Sequence, residues 1–236
     1  MSVPLADPGG RAELEKSAAA AAAAQLVESG MTVGLGTGST ASLFVRSLAA
    51  RRLDIIAVAT SRATAALAVS LGVKVIELDA AKTIDLTVDG ADEIGPGLAL
   101  IKGGGGALLR EKLVWEASTR VVVVADSAKQ VAQLGAFPLP VEVVDFGCLT
   151  TVRRIEATLR ANGMDVRPRW RMAGGDLMRT DGGNLICDID CASIRDPATL
   201  AVALKGLTGV VDHGLFLGLA ERALIGTAHG ADTLWP

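Results

Sequence analysis

The sequence predicts an α/β chain: a Rossmann-like parallel-sheet domain with an inserted ferredoxin-like α+β domain. Three observations predict it. Through residue 136, short apolar runs such as Val121 to Ala125 alternate with helical segments, and strands apolar on both faces belong to parallel sheets covered by helices. After Phe137-Pro138-Leu139-Pro140 the order of signals becomes β-α-β-β-α-β, the split βαβ arrangement. Half of the 236 residues are hydrophobic and 21% are charged, so a core can form and disorder is excluded.

Asp7-Pro8 opens a helix through Glu13, Lys16 and the alanines to Glu28, with Gly30 as its stop. Met31 to Leu35 is a strand feeding a Gly-rich turn and a helix from Ser39 to Arg52. Ile55 to Ala59 and Lys74 to Leu78 are strands around a helix, Ala63 to Leu71, that Gly72 ends. Leu86 to Val88 and Leu98 to Ile101 are short strands flanking an acidic loop. A helix from Ala107 to Ser118, a strand from Arg120 to Ala125 and a helix from Ser127 to Leu134 complete the series. In the second region, Val141 to Val144, Asp165 to Arg171, Asn184 to Asp188 and Val210 to Leu217 are strands, with helices over Thr151 to Ala161 and Pro197 to Leu207. Residues 1–136 with 218–236 then form the first domain and 137–217 the second, the tail being too short to fold alone.

Composition narrows the function. A net charge of -3 is too balanced for holding polyanions by bulk electrostatics, and 3% aromatics with no Tyr leave few stacking platforms, so nucleic acid is a poor partner. No apolar run nears the roughly 20 residues of a bilayer span, and MSVPLADPGG lacks the pattern of a signal peptide. Cys148, Cys187 and Cys191 form no even framework, which fits reduced thiols and a cytoplasmic setting; with His213 and His229 they make no metal-ligand spacing. Both histidines read as structural or solvated.

Four segments carry chemistry. In Gly34-Leu35-Gly36-Thr37-Gly38-Ser39-Thr40, between a strand and a helix, backbone N–H groups and a helix dipole face an anion, and Thr37, Ser39 and Thr40 add hydroxyls. Ser39 replaces the third Gly of a dinucleotide loop and Thr32 the acid of a methyltransferase loop, so a phosphate monoester fits better; a bare tight turn is the plainer reading. Val88-Asp89-Gly90-Ala91-Asp92-Glu93 sets acids at the carboxyl end of a strand, where open parallel sheets bind ligands, although a solvated capping loop would look alike. In Lys102-Gly103-Gly104-Gly105-Gly106, four glycines carry an entropic cost that close approach to a ligand explains. On the following helix, Glu111 falls between Val114 and the pair Leu108 and Trp115; partial desolvation would make it a competent general base, whereas most helical glutamates only pair on the surface. Lys129 and Lys16 are candidate phosphate cations, each also readable as solvated.

The set GLGTGST, TVDGADEI, LIKGGGGALLREK, ADSAKQV and FPLPVEVV, followed by TDGGNLICD and GVVDHGLF, resembles ribose-5-phosphate isomerases of the A type over nearly the whole chain. The resemblance implies interconversion of D-ribose 5-phosphate and D-ribulose 5-phosphate in the non-oxidative pentose phosphate pathway, with no metal or organic cofactor. It implies Glu111 as the proton-transfer base, Asp89, Asp92 and Lys102 as further catalytic groups, and a substrate site of Thr37 to Thr40, Asp89 to Asp92, Lys102 to Gly105 (Gly103 and Gly104 between), Lys129 and Lys16. In that assignment Asp89 handles hydroxyl protons and ring opening while Asp92 orients the sugar. TDGGN stands where some members have TDNGN. A homodimer or homotetramer is implied as well.

The rival in another class is a non-enzymatic sugar-phosphate sensor, which keeps the phosphate loop but needs neither Glu111 nor Lys102; it would want a helix-turn-helix segment, and only about ten residues precede the first helix. Within enzymes the rivals are another aldose-ketose isomerase or a CoA transferase of similar architecture.

Overall fold

The computed structural model describes residues 8–236, so Asp7 lies outside the described residues. In chain order the elements are α1 (Pro8–Ala24), β1 (Thr32–Leu35), α2 (Ser39–Ala50), β2 (Ile56–Ala59), α3 (Arg62–Ser70), β3 (Lys74–Ile76), β4 (Leu86–Gly90), β5 (Glu93–Ile94), β6 (Leu100–Ile101), α4 (Leu108–Glu116) and β7 (Val121–Ala125). There follow β8 (Leu139–Val143), α5 (Cys148–Ala161), β9 (Arg169–Trp170), β10 (Met172–Ala173), β11 (Asp176–Leu177), β12 (Leu185–Ile189), α6 (Pro197–Lys205), β13 (Val210–His213), β14 (Leu215–Phe216), β15 (Arg222–Thr227) and β16 (Gly230–Leu234). The chain divides into two units. The first comprises the described residues up to Gly90, Val114–Gln130 and Leu219–Pro236; the second comprises Ala91–Leu113 and Val131–Gly218.

The first unit is a seven-stranded sheet in the order β16-β15-β7-β4-β1-β2-β3, parallel except for β16. The expected parallel sheet is therefore present, and the C-terminal tail joins it as β15 and β16. From β1 the chain builds outward through β2 and β3, then returns to place β4 on the other side of β1. That reversal puts a topological switch point between the carboxyl ends of β1 and β4, where sheets of this kind bind ligands. Both faces are covered. Ala57 joins a core with Phe44, Leu48 and the alanines of α1, while its neighbour Val58 packs with Ile84 and Val114 on the opposite face, as the two-residue period of a strand requires. α1 and β15 approach closely: a Cβ on Gly226 of β15 would lie 1.7 Å from the carbonyl oxygen of Glu15 in α1.

The second unit holds the antiparallel sheet β13-β8-β12-β9. The segment β8-α5-β9-β12-α6-β13 follows the anticipated β-α-β-β-α-β order, with a small extra hairpin, β10-β11, between β9 and β12. Ile155 and Leu159 of α5 and Leu200 and Leu204 of α6 bury against Val141, Val143, Leu185, Cys187 and Ile189. Asp196 caps α6 by accepting from Thr199 N, and Pro197 supplies its first residue.

Several expectations need correction. Residues 91–113 group with the second unit rather than the first, because β5 and β6 pair with β14 in a separate antiparallel sheet. The strand expected over Val210 to Leu217 breaks at Gly214, whose N–H donates to Pro140 O, and continues as β14 in that other sheet. The helix expected over Ser127 to Leu134 is a single 3-10 turn, Ser127–Lys129, since Gln130 turns to extended backbone. The helix expected to reach Glu28 ends at Ala24, and the strand expected over Asp165 to Arg171 is only Arg169–Trp170. Among the described residues, no helix is long and apolar enough to cross a membrane. All three cysteines are free, and burial pushes the thiols of Cys187 and Cys191 up to about 12.

The contact between α1 and β15 predicts that Gly226→Ala forces the two backbones apart. Overpacking of this kind costs roughly 1–3 kcal/mol, so thermal or urea unfolding of this variant should show a clear loss of stability, whereas Gly230→Ala, with nothing within 4 Å of its Cβ, should lose only what its positive φ of 144° costs.

Candidate active site

In the first unit, the loop after β1 and the end of β4 are built around one carboxylate. Asp89 is fully buried, and its Oδ1 accepts from Thr37 N (3.1 Å) and Gly90 N (2.7 Å) while Oδ2 accepts from Trp115 Nε1 (3.0 Å). Position 36 must be glycine, because a Cβ there would stand 2.1 Å from Asp89 Oδ1. Gly38, at φ 117°, precedes α2 without a side-chain cap, so the first turn of α2 presents its backbone N–H groups beside the exposed Ser39. Thr40 is buried in that turn.

Behind the loop lies a set of hydroxyls from the turn after β2 and from α3 that sequence reasoning missed. Thr37 Oγ1 lies 2.7 Å from Thr60 Oγ1 and 3.3 Å from Thr64 Oγ1, and Thr64 Oγ1 donates to Gly36 O at 3.0 Å. Ser61 caps α3 and donates to Thr64 Oγ1. The segment ATSRAT carries no familiar motif, and its only signal was Ser61 standing three residues before Thr64.

Lys129, half-buried, sits in the 3-10 turn after β7. Glu15 Oε2, on α1, accepts from Ser127 N (2.9 Å) and Ser127 Oγ (2.7 Å), which brings the helix carrying Lys16 against the turn carrying Lys129. The Ser127 hydroxyl and Arg11, whose Nε is 2.7 Å from Oε1, hold the Glu15 carboxyl down at about 2.

The second unit gathers the remaining candidates. Lys102 and Glu111 form an ion pair, Nζ to Oε1 3.2 Å, with side chains 2% and 4% exposed. The glycines lie between them in sequence: Gly103 (φ 98°) and Gly106 (φ 78°) take left-handed conformations, and Gly106 N donates to Gly103 O at 2.9 Å to close the loop. Gly104 and Gly105 are exposed. Asp92 Oδ2 accepts from Gly104 N at 2.7 Å, and a Cβ on Gly104 would lie 2.6 Å from Asp92 Oδ1. Lys102 is held from behind by its own N–H on Gly214 O (2.8 Å) and by Phe216, whose ring centroid is 5.5 Å from Nζ. Gly90 and Ala91, the links between the two aspartates, are half-buried.

Two supports here were also invisible in the sequence. Lys112 donates to Asp212 Oδ1 (2.5 Å) and His213 O (2.9 Å). Burial, and then the Lys112 charge, lowers His213 to about 4, leaving a neutral imidazole whose Nδ1 accepts from Leu215 N. Glu142 of β8, buried and with its carboxyl raised by that burial, accepts from Thr180 Oγ1 (2.8 Å) and Asn184 Nδ2 (3.0 Å), which fixes the TDGGN turn.

Residues 56–230 match the family model described as Ribose 5-phosphate isomerase A (phosphoriboisomerase A). The chain is 60% identical over 225 residues to a protein of Caulobacter sp. (strain K31) named Ribose-5-phosphate isomerase A, covering 95% of this chain and 99% of that one. It is similar to the crystal structure of ribose 5-phosphate isomerase A from Neisseria gonorrhoeae, with TM-score 0.86 and 35% identity over 94% of this chain and 96% of that chain. A D-ribose-5-phosphate isomerase solved in complex with phospho-erythronic acid gives TM-score 0.88 and 32% identity, covering 95% and 99%.

The lowered Glu15 carboxyl predicts an acid-sensitive link. Because its folded value of about 2 lies below the ordinary glutamate value of 4.5, its contribution is complete above 4.5 and is lost as pH falls toward 2. Urea midpoints measured from pH 6 down to pH 2 should therefore fall less steeply for Glu15→Gln than for the wild type.

Proposed function

The chain belongs to the ribose-5-phosphate isomerase A family, and from that premise we propose that it interconverts D-ribose 5-phosphate and D-ribulose 5-phosphate through a cis-enediolate, with Glu111 as the proton-transfer base. The observation that carries this reading is the buried Lys102–Glu111 pair at the two ends of the glycine loop. A sensor that only held the sugar phosphate would have no use for it.

Glu111 removes the proton from C2 of the open aldehyde and returns it to C1, while the hydroxyl proton of O2 leaves and O1 acquires one, so the product is the ketose. Charge that develops on O1 and O2 is met by the Lys102 ammonium and by backbone N–H groups of Gly103 and Gly105, the Gly104 N–H being engaged by Asp92. Such donors stabilise the transition state because they are already in place before the charge appears. Asp92, anchored by Gly104 N, orients the sugar hydroxyls. Asp89 accepts from N–H donors with both oxygens and is fully buried, so we assign it the shaping of the Thr37 loop ahead of the proton handling that the resemblance implied. The phosphate falls to Thr37 to Thr40 with the first turn of α2, and to Lys129 with Lys16 as a further cation; binding energy there is remote from the reacting carbons. The same reading places the reaction in the non-oxidative pentose phosphate pathway, performed without a metal or organic cofactor by a homodimer or homotetramer.

The test is ribulose 5-phosphate formation from ribose 5-phosphate with EDTA present. Wild-type activity should survive EDTA, and Glu111→Gln should lower kcat by about 10²-fold or more while substrate still binds. With substrate deuterated at C2, single-base transfer should deliver part of the label to C1 of the product. A wild type that binds the sugar phosphate without turning it over would replace this reading with the sensor.

A further inference from the structure

The glycine loop is gripped from its carbonyl side by a residue outside every motif above. Arg171, between β9 and β10, donates through Nη1 to Gly103 O at 2.7 Å and Gly104 O at 3.1 Å. Its other nitrogens fork onto Asp188 of β12, Nε to Oδ2 at 2.8 Å and Nη2 to Oδ1. Its backbone is fixed as well, with Arg171 N on Ile186 O and Met178 N on Arg171 O, both at 2.9 Å. The side chains of Arg171 and Asp188 are 13% and 17% exposed. A guanidinium so placed has no freedom left to act as a general surface charge.

The consequence follows from the planarity of the peptide. In a trans peptide the C=O and the next N–H point in opposite directions, and the described residues contain no cis bonds. Drawing the carbonyls of Gly103 and Gly104 toward Arg171 therefore turns the N–H groups of Gly104 and Gly105 the other way. The first of them is found there, donating to Asp92 Oδ2. The charge-assisted hydrogen bonds from Arg171 Nη1 to both carbonyl oxygens also polarise the two amides, which strengthens their N–H groups as donors. The free alternative is costly to resist by other means, because glycines impose no conformation of their own.

We propose that Arg171 is a positioning residue for the isomerisation: seated by Asp188, it aims and polarises the Gly104 amide toward Asp92 and the Gly105 amide toward the enediolate. This rests on the isomerase reading and adds to it the group that makes the loop a preorganised oxyanion site. Lysine cannot replace it, since a point charge lacks the fork that holds Asp188 and two carbonyls together.

The experiment uses the full chain with Arg171→Met, Arg171→Lys and Asp188→Asn. Each is assayed for kcat and KM and for affinity toward two five-phosphate-like probes: a four-carbon phosphorylated hydroxamate, planar and anionic like the enediolate, and ribitol 5-phosphate, tetrahedral and uncharged at the carbons concerned. Arg171→Met should lower kcat by about 10-fold to 10²-fold, change KM by less than about 3-fold, weaken the hydroxamate in proportion to kcat, and leave ribitol 5-phosphate binding unchanged. Arg171→Lys should not restore kcat, and Asp188→Asn, which keeps the arginine, should give a smaller loss of the same kind and serves if Arg171→Met does not fold. An unchanged kcat, or parallel losses for both probes, would overturn the proposal while leaving wild-type isomerase activity intact. A wild type that does not isomerise ribose 5-phosphate would remove the reading beneath it.

Discussion

Lys102 and Glu111 are opposite charges held 3.2 Å apart and almost wholly out of water, and much of the second unit exists to make that tolerable. Taking two such ions from solvent costs several kcal/mol each, and mutual attraction repays it only when the geometry is held. The holding is visible on every side. Gly214 O fixes the Lys102 backbone, Phe216 lies against its ammonium, and Glu111 stands in the first turn of α4 with its N–H on Ala107 O. Replacing such buried pairs by apolar residues of similar volume is often neutral or stabilising. Burial of such a pair is weak grounds for stability, and under the proposed function it serves the proton transfer instead.

The first unit solves a different problem, which is to hold a polar loop at the end of an apolar sheet. Its answer is a single buried carboxylate. Asp89 collects N–H donors from Thr37, Gly90 and Trp115, and the absence of a side chain at position 36 lets it come that close. The hydroxyls of Thr60 and Thr64 take up the remaining polar atoms behind Thr37. The loop is thereby shaped in advance of any ligand, which lowers what binding must spend on ordering it.

The parallel sheet was legible because β1, β2 and β7 are apolar runs with a helix next to each in the chain, and the glycine loops were legible because glycine without a structural excuse marks close approach. What escaped was set by distant contacts. Nothing local in GVVDHGLF shows that Gly214 separates strands of two sheets; a Cβ there would meet Lys102 O at 2.3 Å and Pro140 Cδ at 2.6 Å, neighbours far off in sequence. The hairpin β10-β11 did have a local signal in Gly174-Gly175, which lies between its strands. Arg171, Glu142 and the hydroxyls of Thr60 and Thr64 act by supporting residues that motifs do mark. Their chemistry is ordinary and only their placement is not, so no spacing rule finds them.

The order of strands also bears on how the chain can be assembled as it is made. β15 lies between β7 and β16, so the sheet of the first unit stays open along β7 until residues 222–227 have been synthesised. The second unit needs nothing after Gly218. On a ribosome it has its whole complement of chain first, while the earlier parallel strands wait with an unpaired edge for the last ones, a long-range closure of the kind that slows folding and exposes strands to wrong partners. Residues 222–227 are thus the ones that seal the sheet built from the earlier strands.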